Sequence, residues 1–213
     1  MQPIKVTVGP LGSSSTTSIA ANQVVSGAAA MTLTASPVTL YAPQRVGITC
    51  VGNDSGITFT IVGTTFGGQA ATEVVQGVSG SLASSTIDFA TVSSITTSGS
   101  TSGSGASAGP TGVGGSRWVR LDSWANAETS IQCNASGTVN YTVQVTMDDP
   151  NDPTSPVSVN DVTWINTNDT DAVSAIGDVF TNFQFTPTFA RVLLNSGNGS
   201  VTTTFAQFNV VNK

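Results

Sequence analysis

Apolar and polar residues alternate along much of this chain. In the stretch GITFTIVG, Ile57, Phe59 and Ile61 fall on one side of an extended backbone, and Thr58 and Thr60 on the other. A longer run follows: Val139, Tyr141, Val143, Val145 and Met147 alternate with Asn140, Thr142, Gln144 and Thr146. A period of two puts successive side chains on opposite faces, the pattern of a half-buried antiparallel strand. The same reading predicts strands over residues 4–8, 31–33, 38–40, 46–51, 73–76, 116–121, 128–134, 162–165, 183–186, 190–195 and 201–211. Phe59, Ile61, Tyr141, Val143, Val145, Val192 and Leu194 are the predicted core. Four clusters of small and polar residues read as hairpin turns: GNDSG (52–56), FGGQ (66–69), ASGT (135–138) and NSGNGS (195–200). DDPNDPTSP (148–156) carries three prolines and must be a loop. No apolar run has helical spacing. Residues 123–129 and 169–180 have room for a single turn each, and two Glu and two Lys leave little helix propensity.

One stretch breaks the pattern. Residues 97–116, TSGSTSGSGASAGPTGVGGS, are almost all small and offer nothing to bury. They read as an interdomain linker, as a long exposed loop or closing hairpin, or, less commonly, as a strand packed tightly on another chain. The first thirty residues are also low in complexity, with one β segment at 4–8, and such arms are ordered by a partner or by the rest of the chain. The predicted organisation is an arm over 1–30, a first lobe over 31–115 and a second over 116–213. The predicted fold class is all-β, with two antiparallel β-sandwich lobes of jelly-roll or Ig-like type and under about 10% helix.

Composition sharpens this picture. Ser (27) and Thr (32) exceed a quarter of the 213 residues, while charged residues are 8%, against about 25% in an ordinary domain. Hydroxyls and amides therefore keep the surface wet. Six cations spread along a chain of net charge −6 argue against a nucleic-acid binder. No apolar stretch is long enough for a membrane-spanning helix. No signal peptide is visible at the N-terminus, so synthesis in a reducing cytoplasm is expected. Cys50 and Cys133 sit in alternating apolar runs and read as small buried hydrophobes, although a disulfide between them stays open.

Little chemistry is on offer. The chain has no His, which excludes a Ser–His or Cys–His catalyst and a Cys2His2 zinc site. No phosphate loop occurs, and both lysines, Lys5 and Lys213, are near the ends. Carboxylates cluster at Asp148, Asp149 and Asp152 and again at Asp169, Asp171 and Asp178. The first cluster is a candidate calcium site, but its spacing matches no EF-hand loop and Asp beside Pro is ordinary turn chemistry. No metal and no cofactor are expected. Trp118, Trp124 and Trp164 could stack on sugar rings, with the Asp clusters lining the same groove as glycosidase carboxylates; this carbohydrate-binding or glycan-cleaving module is the alternative of another class. Trp118 and Trp164 nevertheless sit in strand-like runs, where an indole belongs to a core or interface. Ile4, Val6 and Val8 of the arm, with Arg117, Trp118 and Arg120, are the candidate interface residues.

Several segments carry a resemblance. SRWVRL, IQCNASGTVNYTVQVTMDDPNDPTSP and FTPTFARVLLNSGNGSVTTTFAQ resemble small β-sandwich virion proteins of tailed bacteriophages. ITCVGNDSGITFTIVGTTFGGQAATEVVQGVSG resembles a recurrent module of phage structural proteins. The resemblance implies a non-enzymatic virion component, tail-associated or fibre-like, with a capsid decoration protein as the alternative. It implies assembly in the host cytoplasm into a particle and no catalytic residues. The expected partners are copies of itself, a trimer being one option, and other virion proteins, with a host surface glycan as a further candidate. Deleting residues 1–30 is expected to weaken assembly more than the fold of residues 117–213.

Overall fold

A computed structural model describes residues 3–122, 129–183 and 185–207. The fold is all-β: strands take 53% of the chain and helix 3%. The only helical pieces among the described residues are 3-10 turns at Val159–Asp161 and Thr170–Ala172.

The chain forms two compact units, Leu11–Val113 and Met1–Pro10 together with Gly114–Lys213. The first strand, β1 (Ile4–Val8), thus belongs with the C-terminal half. This corrects the expected separate arm over 1–30: its start and its remainder serve different units. It also moves the boundary between the lobes from 115/116 to 113/114.

Leu11–Val113 holds β2 (Ala20–Gln23), β3 (Val38–Cys50), β4 (Thr58–Thr64), β5 (Ala70–Gln76), β6 (Leu82–Thr97) and β7 (Ala106–Pro110). They form one antiparallel sheet in the order β2-β7-β3-β6-β4-β5. β6 runs beside β3 from Leu82 to Val92 and beside β4 from Thr91 to Thr97, with register shifts against both partners. Ile19, Ile48, Phe59, Ile61, Phe89 and Ile95 are fully buried in one core cluster. A single sheet encloses a common core only by folding over on itself, and bulges in its long strands supply such bends.

The small-residue stretch at 97–116 divides: residues 98–104 form a partly exposed loop, one of the expected readings, while Ala106–Pro110 after them is packed as strand. All five residues of β7 are buried, between β2 and β3, and Gly114–Gly115 forms β8, the next strand. The reason is close packing within this same chain. Ser15 N donates to Pro110 O at 3.0 Å and Ile19 N to Ala108 O at 3.0 Å, so residues 15–19 lie against β7. A Cβ on Gly109 would strike the carbonyl oxygen of Ser15.

The other unit adds β9 (Val119–Arg120), β10 (Thr129–Ser136), β11 (Val139–Thr146), β12 (Ile165–Asn166), β13 (Val179–Phe183), β14 (Phe189–Gly197) and β15 (Ser200–Gln207). One sheet has the order β1-β15-β10-β13; the other has β12-β11-β14-β8, with β9 also on β14. Val8, Ile131 and Phe205 are buried from the first, and Tyr141, Val143 and Leu194 from the second. Apolar faces of two sheets turned on each other make a β-sandwich. Phe180, Gln132, Thr204 and Lys5 are cross-strand neighbours on the opposite, outward face of the first sheet.

Three of the four expected hairpin turns join strands that do not pair. Only FGGQ closes a hairpin, β4 to β5. ASGT and NSGNGS carry the chain from one sheet of the sandwich to the other. Gly197 makes its turn at φ +114, and a Cβ there would meet the Thr138 carbonyl oxygen in the neighbouring turn, so the two crossings interlock. GNDSG leads from β3 to β4, and its Asp54 is buried, accepting the Ser102 N–H at 2.6 Å.

Of the predicted core, Phe59, Ile61, Tyr141, Val143, Val192 and Leu194 are fully buried; Val145 is half-buried. Val143→Ala should therefore cost about 1–3 kcal/mol, a transfer loss plus an unfilled cavity, and Val145→Ala distinctly less. Urea titration of both variants measures the difference. Cys50 and Cys133 are free, buried thiols, as the small-hydrophobe reading has it. Burial raises both thiol pKa values. It also pushes up the Tyr141 phenol, with Cys133 adding to the shift, while the Tyr141 hydroxyl donates to Gly177 O at 2.8 Å.

Candidate functional site

The sandwich leaves β13 at the edge of one sheet and β12 at the edge of the other. Between them opens a cleft of about 480 Å³. Val145, Met147, Ile165, Phe183, Phe185 and Pro187 give it an apolar lining. Three of these side chains are largely in water: Met147 at 70%, Ile165 at 63% and Phe185 at 58% exposure. Large apolar groups gathered at one exposed place, unlike scattered ones, mark a contact surface.

Local sequence explains how they come to lie there. Alternation carries Val143 into the core and Val145 to the cleft, and leaves Met147 beyond the end of β11. The proline-rich loop then turns back through its own carboxylates. Asp149 Oδ1 accepts Asn151 N, and Asp152 Oδ1 accepts both Thr154 N and Ser155 N, each at 2.8 Å. Asp148 Oδ2 accepts Thr163 N at 2.7 Å, which returns the chain to Ile165. Asp169 Oδ1 accepts Asp171 N at 2.9 Å, and its Oδ2 takes the Thr181 hydroxyl. That last bond ties the loop after β12 to β13 along the cleft wall.

The carboxylates thus act as turn formers and anchors. Asp149 Oδ2 also meets the Arg120 guanidinium at 2.7 Å. Among the described residues, no group of three His, Cys, Asp or Glu side chains is placed to hold a metal ion. The Ser155 and Thr154 amides hold the Asp152 carboxyl below its usual range. The Thr181 hydroxyl, then the Asp171 amide, do the same for Asp169. A folded-state pKa below the unfolded value of about 3.9 contributes stability above that pH and loses it as pH falls through the folded value. Urea midpoints of the Asp169→Asn chain should consequently fall less steeply below about pH 4 than those of the parent. Equal slopes would show that the tie between Asp169 and Thr181 does not hold in solution.

The tryptophans form a stack. The Trp118 and Trp164 rings meet edge to face at 5.0 Å, and Trp118 meets Phe189 at 5.9 Å. Arg191 lies 4.3 Å from the Trp164 centroid and Arg120 5.4 Å from that of Phe189. One face of Trp164 is thereby engaged by a guanidinium, which favours a structural use of the ring over sugar stacking. Trp124 lies outside the described residues.

The expected interface residues divide. Val6 and Val8 are buried, and β1 pairs with β15 of the same chain from Ile4 to Val8. Their apolar sides are used within the chain, a correction to their reading as a surface for a partner; Ile4 is half-buried beside them. Trp118 and Arg120 belong to the stack, and Arg117 is exposed. Sequence reasoning did not single out Ile165, Phe185 or the β13 edge. Met147 alone carried a signal, as the apolar residue left over at the end of the alternation.

Comparison with protein-family models, curated proteins and solved structures finds no match to this chain.

Proposed function

We propose that this protein is a non-enzymatic structural component of a tailed-bacteriophage virion, a tail-associated or fibre-like accessory subunit that works by packing β surfaces. The observation that carries the proposal is the apolar cleft at two open sheet edges, with Met147, Ile165 and Phe185 in water. The outward face of the four-stranded sheet adds support: beside Lys5 it carries the neutral, polar Gln132, Thr202 and Thr204 and the exposed Phe180, a surface with one charge among these residues and suited to packing against other subunits. The use of Asp148, Asp149, Asp152 and Asp169 in turns favours this reading over a glycan-cleaving one. The virion itself enters through the sequence resemblance, which a capsid decoration protein fits as well.

Gradient fractionation tests the proposal. In lysates of cells that make the protein, it should sediment with assembled particles at a fixed copy number. It should stay on them in high salt, because contacts of shape and apolar area are weakly screened. Recovery only as free chain would reject the proposal.

A further inference from the structure

We propose that the cleft between β12 and β13 receives an extended, apolar segment of another virion protein, flanked by Lys or Arg, which adds to the β13 edge as a fifth strand of that sheet. The inference rests on the reading of the protein as an assembly subunit. Three observations define the occupant. Among the described residues, β13 has β10 on one side and no strand on the other. An edge strand presents outward N–H and C=O groups at alternate residues, the template for strand addition. Val179–Phe183 is five residues long, about 17 Å at the strand rise, so it takes a short segment.

The lining sets the side chains. An added strand next to Thr181 and Phe183 would direct alternate residues towards Val145, Ile165 and Phe185. Those residues should be aliphatic and the ones between them unrestricted.

Charge sets the flanks. Asp169 lines the cleft, Asp171 donates its amide to it, Asp148 follows Met147 and Asp178 immediately precedes β13. Among the described residues, the lining contains no cation. Of the described cations in the same unit, Arg120 is paired with Asp149, Arg191 is buried over Trp164, and the exposed Lys5 and Arg117 are not part of the lining. The surroundings of the cleft are therefore acidic, and an occupant with basic flanks is complementary. The same charges disfavour a second copy docked cleft to cleft, since that would set carboxylates against carboxylates.

The probe is a capped peptide, Lys-Lys-Val-Thr-Val-Thr-Val-Lys-Lys, titrated into the full chain. Its counterpart with Glu at the four flanking positions and a version with Pro for the central Val are the controls. We expect the Lys peptide to bind at least about tenfold more tightly than either control, with slowed hydrogen exchange over residues 179–183. Ile165→Asp and Phe185→Asp should each weaken binding by at least about tenfold. Both side chains are more than half exposed, so circular dichroism and melting of the variants should match the parent. Equal binding of the Lys and Glu peptides, binding unaffected by both variants, no binding of the Lys peptide, or self-association through the cleft would each overturn the inference. If the protein sediments with particles and the peptide result is negative, the docking inference alone fails. If the peptide binds and the protein is absent from particles, the virion reading alone fails.

Discussion

A chain lacking residues 1–30 should not fold in either half. The truncation removes β1, with Val6 and Val8 from the sandwich core, and β2, with Ile19, Ala20 and Val25 from the core of the other unit. Burying a Val or Ile is worth roughly 1.5–3 kcal/mol, so the four branched side chains alone represent on the order of 10 kcal/mol shared between the units. That is comparable to the whole stability of a domain, about 5–15 kcal/mol. The loss of pairing along β15 and β7 adds to it. Circular dichroism and proteolysis of the truncated chain should show an unfolded or aggregated product, and a well-folded 117–213 half would contradict the assignment of β1. This reverses the expectation from sequence that the first thirty residues serve assembly more than folding.

Gly109→Val should destabilise the protein more than Val143→Ala does. A Cβ at position 109 collides with backbone, the Ser15 carbonyl, rather than with the movable end of a side chain. Overpacking of a core costs about 1–3 kcal/mol when side chains can shift. Here β7 is held between residues 15–23 on one side and β3 on the other, so the loss should reach about 3 kcal/mol or more. Gly103→Val, a few residues away in the same Gly/Ser-rich stretch, meets nothing within 4 Å and should stay within about 0.5 kcal/mol. Denaturant titration of the two variants separates a packed strand from a linker, because a linker would tolerate both.

The two glycines differ in a way that no local pattern reveals, and the same limit applies elsewhere in the chain. Alternation located β4 and β11 because one side of each is buried and the other is polar. It missed β6 altogether. There the buried large residues are Phe89, Val92 and Ile95, spaced by three, because bulges shift the register of the strand against both β3 and β4. It missed β7 for a different reason. Small side chains there are dictated by residues 15–19 lying against the strand, a contact distant in sequence and without a periodic trace. The turn-forming roles of Asp149 and Asp152 were legible from Asp beside Pro. The cleft was not, since it depends on which strands end up at the edges of two sheets, and that is set by pairing across the whole unit.

If the protein works as proposed, the open edge beside β13 is buried against another protein in the assembled particle. A photo-cross-linking amino acid at position 185, carried by the full chain and incorporated into gradient-purified particles, tests this directly. The expected result is a cross-link to one other virion protein, mapped by mass spectrometry to an extended, apolar segment with basic flanks. Particles that contain the protein yet give no cross-link from this position, or only cross-links between copies of this chain, would contradict it.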